Sequence, residues 1–153
     1  MKATDRLDEF LRLSVSLTGF GRLQLVGTGV AHQYLDALDS IVSAEFTNRL
    51  LEASAALPEG DGRETALSER VLGDPAFGPV ARNIIVLWYC GTWQPLPDDW
   101  CQVFGRAPSD QPHVVSPEAY LAGLQWTVAG AHPAGGLPGG FASWAGPPAG
   151  AEQ

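Results

Sequence analysis

Apolar residues recur along this chain at three- and four-residue spacing, the period of helices packed on one face. Leu7, Phe10, Leu11, Ser14 and Leu17 form a first stripe, with Thr4 placed to cap it. Gly19 and Gly21 break the pattern in TGFGRL. A second stripe, Val30, Tyr34, Leu38 and Ile41, follows a cap at Thr28, and a third from about Ser43 carries Phe46, Leu50 and Leu57. PEGDGRE at 58–64 is a polar loop, and a short helix over Ala66 to Leu72 ends at Gly73. Asp74-Pro75 then pairs a capping carboxylate with a proline whose missing N–H costs nothing in a first turn. The helix it opens runs through Val80, Ile84, Leu87 and Trp88 to Gly91, with Pro79 able to shift its start by a turn. It is apolar almost all round, as the central helix of a domain would be.

Residues 91–115 have little periodicity, and their glycines and prolines exclude a long helix. Ser116-Pro117 repeats the cap-plus-proline signal ahead of Tyr120, Leu121, Leu124 and Val128, a last helix that stops between Gly130 and Pro133. No stretch alternates with period two for long enough to argue a sheet. The expected fold is therefore all-α: a compact bundle of five or six helices over residues 1–131, with an extended Gly/Pro-rich C-terminal arm over 132–153 in the same domain.

Composition narrows the function. At 153 residues the chain is long enough for one buried core, and charged residues make up only 17%, which leaves much of the surface uncharged. The net charge of −8, with no Lys/Arg cluster along the sequence, argues against nucleic acid. The longest apolar run, IIVLWYC at 84–90, is too short for a membrane span. The N-terminus MKATDRLDEF has neither an apolar signal segment nor a twin arginine.

Few residues suggest chemistry. His32, His113 and His132 lie far apart, with no ligand at helical spacing, so no metal site is expected. Cys90 and Cys101 can bridge in an oxidising compartment or stay as small buried hydrophobes in a reducing one. The carboxylate pairs Asp98-Asp99 and Asp36/Asp39 read as a charged loop and an exposed helix face. No phosphate loop, dinucleotide fingerprint or nucleophile elbow is present, so no catalytic or cofactor-binding residue is expected in this chain. Aromatic residues are more informative. Trp88, Tyr89 and Trp93 cluster at the end of the central helix, and Trp126, Phe141 and Trp144 come later, with His132, Pro133 and Pro138 among them. Phe141 and Trp144 sit beyond the last helix, as anchors for pockets either on the domain body or on another chain.

Three segments carry a resemblance. DEFLRLSVSLTGF, DPAFGPVARNIIVLWYCGTW and SPEAYLAGLQWTVAGAHPAGGLPGGFASWA together resemble the small subunit of bacterial membrane-bound FAD-dependent D-sorbitol dehydrogenases, and the similar subunit of fructose dehydrogenase complexes. The resemblance implies a non-catalytic subunit that supports folding, flavin loading, stability and export of a large flavoprotein of the glucose–methanol–choline oxidoreductase type. FAD would belong to that partner, and haem c to a cytochrome c subunit that takes the electrons on. It also implies a periplasmic location, membrane-associated only through partners. The family commonly carries a twin-arginine signal, which this N-terminus lacks. Either the signal has been removed, or export relies on the partner, or the complex is cytoplasmic. The contact set expected from these readings is Trp88, Tyr89, Trp93, Trp126, His132, Pro133, Pro138, Phe141 and Trp144, with Cys90 and Cys101 as a disulfide candidate. The residues alone leave a rival from another class, a self-contained helical enzyme using a Cys/His pair, and a third reading in which the tryptophans relay electrons.

Overall fold

The computed structural model describes residues 3–133, and these form an all-α fold. Pro138, Phe141 and Trp144 lie outside the described residues. The first helix, α1 (Ala3–Thr18), already includes Thr4, so that residue is not its cap. It buries Phe10, Leu11, Leu13 and Ser14 on one face. The Ser14 hydroxyl donates to the Phe10 carbonyl at 2.7 Å, which lets a polar residue sit inside that stripe. After Gly19 the chain turns into a short helix that periodicity did not reveal, α2 (Arg22–Gly27), which buries only Leu25.

Next come α3 (Ala31–Val42) and α4 (Ala44–Ala55), which pack on each other and on α1. Thr28 lies two residues before the cap position of α3, where Val30 stands; its hydroxyl donates to the Leu25 carbonyl at 2.6 Å and closes the end of α2 instead. Ser43 alone separates α3 from α4. Its hydroxyl accepts from Phe46 N at 3.3 Å, while its backbone is held at φ 74° and ψ 151°. That region suits glycine, so this one-residue corner is strained by roughly 1–3 kcal/mol. A short α5 (Arg63–Leu67) continues as a π-helical turn over Ser68–Leu72.

The central helix α6 (Phe77–Cys90) packs against α1 and the π-helical turn. Asp74 Oδ1 accepts from Ala76 N at 2.8 Å and Phe77 N at 2.9 Å, the capping expected of Asp-Pro, and the helix begins after that turn. Trp88 fills the middle of the core, stacked on Phe10 at 6.2 Å between centroids and edge-on to Tyr34 at 5.0 Å. Burying an indole of this size contributes roughly 4–6 kcal/mol before entropy is charged against it. Gly91 stops α6 in the left-handed conformation, with φ 69°.

The aperiodic region is ordered by side chains rather than by long elements. Thr92–Trp93 (β1) and His113–Val114 (β2) form a two-residue antiparallel pair that alternation had not suggested, and α7 (Asp98–Phe104) lies between them. Asp110, almost fully buried, fastens this region. Its carboxylate accepts from Trp93 Nε1 and Leu96 N at 2.9 Å and from Arg106 Nη1 at 3.0 Å. The last expected helix is two helices, α8 (Pro117–Leu121) and α9 (Leu124–Val128), broken at Ala122-Gly123. A Cβ at Gly123 would meet the Tyr89 carbonyl oxygen at 2.8 Å, so the chain needs glycine where it passes over the end of α6.

Candidate partner-facing surface

A helix turns about 100° per residue, so neighbouring aromatics on α6 have opposite fates. Trp88 points into the core, whereas Tyr89 is half-buried at the rim. The Tyr89 hydroxyl donates to the Thr18 carbonyl at 3.0 Å, and its ring meets Phe20 edge-on at 6.0 Å. Through Gly123 the same residue abuts the α8–α9 corner. There Trp126 Nε1 donates to the Tyr120 carbonyl at 2.8 Å, and the two rings meet edge-on at 5.5 Å. Phe20, Tyr89, Tyr120 and Trp126 are all half-buried. The Tyr89 hydroxyl and Trp126 Nε1 are turned inward to backbone carbonyls, which holds those two rings in fixed orientations.

The described residues end here. Ala131 N donates to the Trp126 carbonyl at 2.8 Å, His132 is exposed and Pro133 is half-buried. Val128 is 64% exposed and Leu121 37%, so apolar surface continues around the aromatic group. Two aromatic pairs beside open aliphatic side chains have the composition found in protein–protein contacts.

The structure divides the expected contact set. Tyr89, Trp126, His132 and Pro133 lie at this end. Trp88 and Trp93 do not offer a contact: they are 1% and 0% exposed, within the chain's own core. Phe20 and Tyr120 join the surface without having been expected there. Phe20 follows the Gly19 stop and belongs to no stripe, and Tyr120 falls on a stripe and so reads as core. A second exposed apolar group, Val103 and Phe104 on α7, was also unforeseen. Phe104 packs tilted against Trp100 at 4.7 Å, above Phe46.

The cysteines are free thiols rather than a disulfide, and they keep different company. Cys90 Sγ lies 3.8 Å from Gln125 Oε1, and Cys101 Sγ lies 3.7 Å from both the Leu96 carbonyl and Asp110 Oδ2. Burial, partly offset by the Arg106 guanidinium and aided by the Asp110 carboxylate, pushes the Cys101 thiol up, away from the thiolate form that a nucleophile needs. His113 Nδ1 contacts the Gln111 carbonyl at 2.7 Å, and His132 lies near Pro133. Among the described residues no imidazole is hydrogen-bonded to either thiol.

Two of the acidic residues noted in sequence are engaged in ion pairs. Asp39 pairs bidentately with Arg6, at 2.8 and 2.9 Å, and Asp98 pairs with Arg106 at 2.6 Å. Asp99 Oδ1 accepts from Trp100 N. Among the described residues no group of three or more His, Cys, Asp or Glu side chains is placed to hold a metal ion, and no helix is long and apolar enough to cross a membrane. No protein-family model matches this chain, and no curated protein or solved structure matches it either.

Proposed function

We propose that this chain is the accessory small subunit of an FAD-dependent sugar or polyol dehydrogenase. In this reading a large flavoprotein carries FAD and the chemistry, and a cytochrome c subunit takes the electrons onward. The small subunit binds the folded flavoprotein, shifts it toward its native, flavin-loaded state by mass action, and accompanies it to the periplasm.

One observation carries the reading beyond sequence resemblance. The described parts of the three segments that resemble the family form one unit around α6. Phe10 stacks on Trp88, Tyr89 reaches the Thr18 carbonyl, Gly91 abuts Ala119, and Cys90 meets Gln125. The 58–64 loop and the last few residues lie outside the resemblance. A partner-binding subunit needs a rigid unit to present its contact surface, here the Phe20–Tyr89 and Tyr120–Trp126 pairs.

The test is to produce the flavoprotein alone, with this chain, and with a Trp126→Ala variant. Flavin content and dehydrogenase activity should be highest with the unaltered chain, lower with the variant and lowest without it. Equal flavin content and activity in all three samples would sink the proposal.

A further inference from the structure

Folding creates a basic site that the linear sequence hides. Arg12, Arg22 and Arg63 are separated by long stretches, yet all three line one cleft of about 660 Å³ on the outer side of α1, together with Asp8, Ser16 and Glu59. Asp8, Arg12 and Ser16 stand four residues apart on one face of α1. Arg22 at the start of α2 is drawn back over that face by a 2.7 Å ion pair with Asp8. Arg63 reaches in from α5, its Nε donating to Ser16 Oγ at 3.1 Å.

These guanidiniums are under-used. Each offers five N–H donors, and an Asp or Glu side chain on the rim engages few of them. Arg12 meets Glu9 only at 3.6 Å and Arg63 meets Glu59 only at 4.0 Å, both too long for a hydrogen bond. Arg63 Nη2 is buried with no partner at all. A charged donor without an acceptor is costly, and a small turn of the Arg63 guanidinium toward the cleft it lines would bring that donor to an oxyanion.

The lining opposes three guanidiniums to two carboxylates, a local positive excess in a chain of net charge −8. That balance favours a small anion. A nucleic acid or an anionic membrane would meet the negative remainder of the molecule, whereas a compact ligand would feel mainly the arginines. Three guanidiniums converging from three elements suit a tetrahedral dianion with several oxygens better than one carboxylate, which a single arginine fork satisfies. The cleft is also of a size that takes an organic ligand. We propose that the Arg12–Arg22–Arg63 cleft binds a phosphate dianion, free or as the head of a small phosphomonoester. The cleft's lining shares no residue with the aromatic surface, and the proposal does not depend on the proposed function.

The experiment is calorimetric titration of the full chain at constant ionic strength, with inorganic phosphate and with glycerol 2-phosphate in parallel arms and sodium chloride as the control. Saturable binding is expected, with about a tenfold loss of affinity in Arg12→Gln and in Arg22→Gln. Both positions are more than half exposed, so these variants should keep the native circular dichroism. Arg63→Gln should lose binding, and its thermal midpoint should stop rising with added phosphate. Tighter binding of the ester would assign the site to phosphomonoesters, and equal binding would assign it to free phosphate. Heats no larger than those of sodium chloride, or unchanged affinity in both Arg12→Gln and Arg22→Gln, would overturn the proposal.

Discussion

Gly91→Ala tests the joint between α6 and α8 that positions Tyr120 and Trp126. Gly91 sits at φ 69°, and a Cβ there would press against the Ala119 carbonyl oxygen, 2.5 Å from its carbon and 2.8 Å from Tyr120 N. Two penalties follow. The left-handed backbone costs alanine about 1 kcal/mol relative to glycine. The clash is with backbone atoms of α8, which cannot swing aside as a flexible side chain would, and overpacking of this kind costs about 1–3 kcal/mol. The sum is a loss of about 2–4 kcal/mol. Gly19 provides the control, since it has φ 76° but no atom within 4 Å of its Cβ position. Gly19→Ala should cost only the first term, about 1 kcal/mol.

Urea unfolding followed by tryptophan fluorescence reads both variants on one scale, and the slope with denaturant should be unchanged. In a chain of this size each kcal/mol moves the thermal midpoint by about 2–4 °C, which gives a second measure. If the two alanine variants lose the same stability to within about 0.5 kcal/mol, the close approach of α8 to the end of α6 is not a constraint. The account of how Tyr120 and Trp126 are positioned would then fail with it.

Other perturbations test separate parts of the structure. Asp110→Asn removes the charge that holds Trp93, Leu96 and Arg106, and should cost about 3–5 kcal/mol in the same urea assay; a loss below about 1 kcal/mol would contradict the hub. Tyr34 is fully buried with its hydroxyl unpartnered, and burial raises its pKa above the ordinary value for tyrosine. Because the folded state holds that proton more tightly, the contribution to stability is complete below about pH 10 and is lost as pH rises beyond it. Tyr34→Phe should therefore equal or exceed the wild type by about 1 kcal/mol at pH 8 and show a weaker alkaline loss; a clear destabilisation at pH 8 would mean that the hydroxyl has a partner. Cys101, its thiol pushed up by burial, should react with iodoacetamide at pH 8 more slowly in the folded than in the urea-unfolded protein, and equal rates would contradict that environment.

The legible parts of this fold were those with local causes. The stripes through Phe10, Tyr34, Leu50 and Ile84 placed the main helices because burial on one face imposes a period that any reader of the sequence can follow. Asp74 and Gly91 marked the ends of α6 because capping and left-handed turns need particular residue types. What stayed hidden was made by contacts between distant residues. Asp110 reads as one more loop acid until Trp93, Leu96 and Arg106 converge on it, and the break between α8 and α9 depends on the passage of Gly123 over Tyr89. The basic cleft left no trace, because its three arginines belong to three elements.

The division between Trp88 and Tyr89 was within reach of the sequence and bears on function. Val80, Ile84, Leu87 and Trp88 follow the helical period, and Tyr89 falls one step beyond it. Grouping the two as one aromatic cluster assigned both to a contact, although the helix can turn only one of them outward. The separation gives the partner proposal a sharper form. Substituting Trp88 should damage the domain itself, since it removes the ring that Phe10 and Tyr34 pack against. Substituting Trp126 removes a half-buried ring and one hydrogen bond to Tyr120, a smaller loss to the fold in the same region. A partner-binding defect at Trp126 with a native-like fold, beside a folding defect at Trp88, would locate the contact in the outer row. Equal folding defects at both positions would return Trp126 to the core and leave the domain without a preset aromatic surface beside α9.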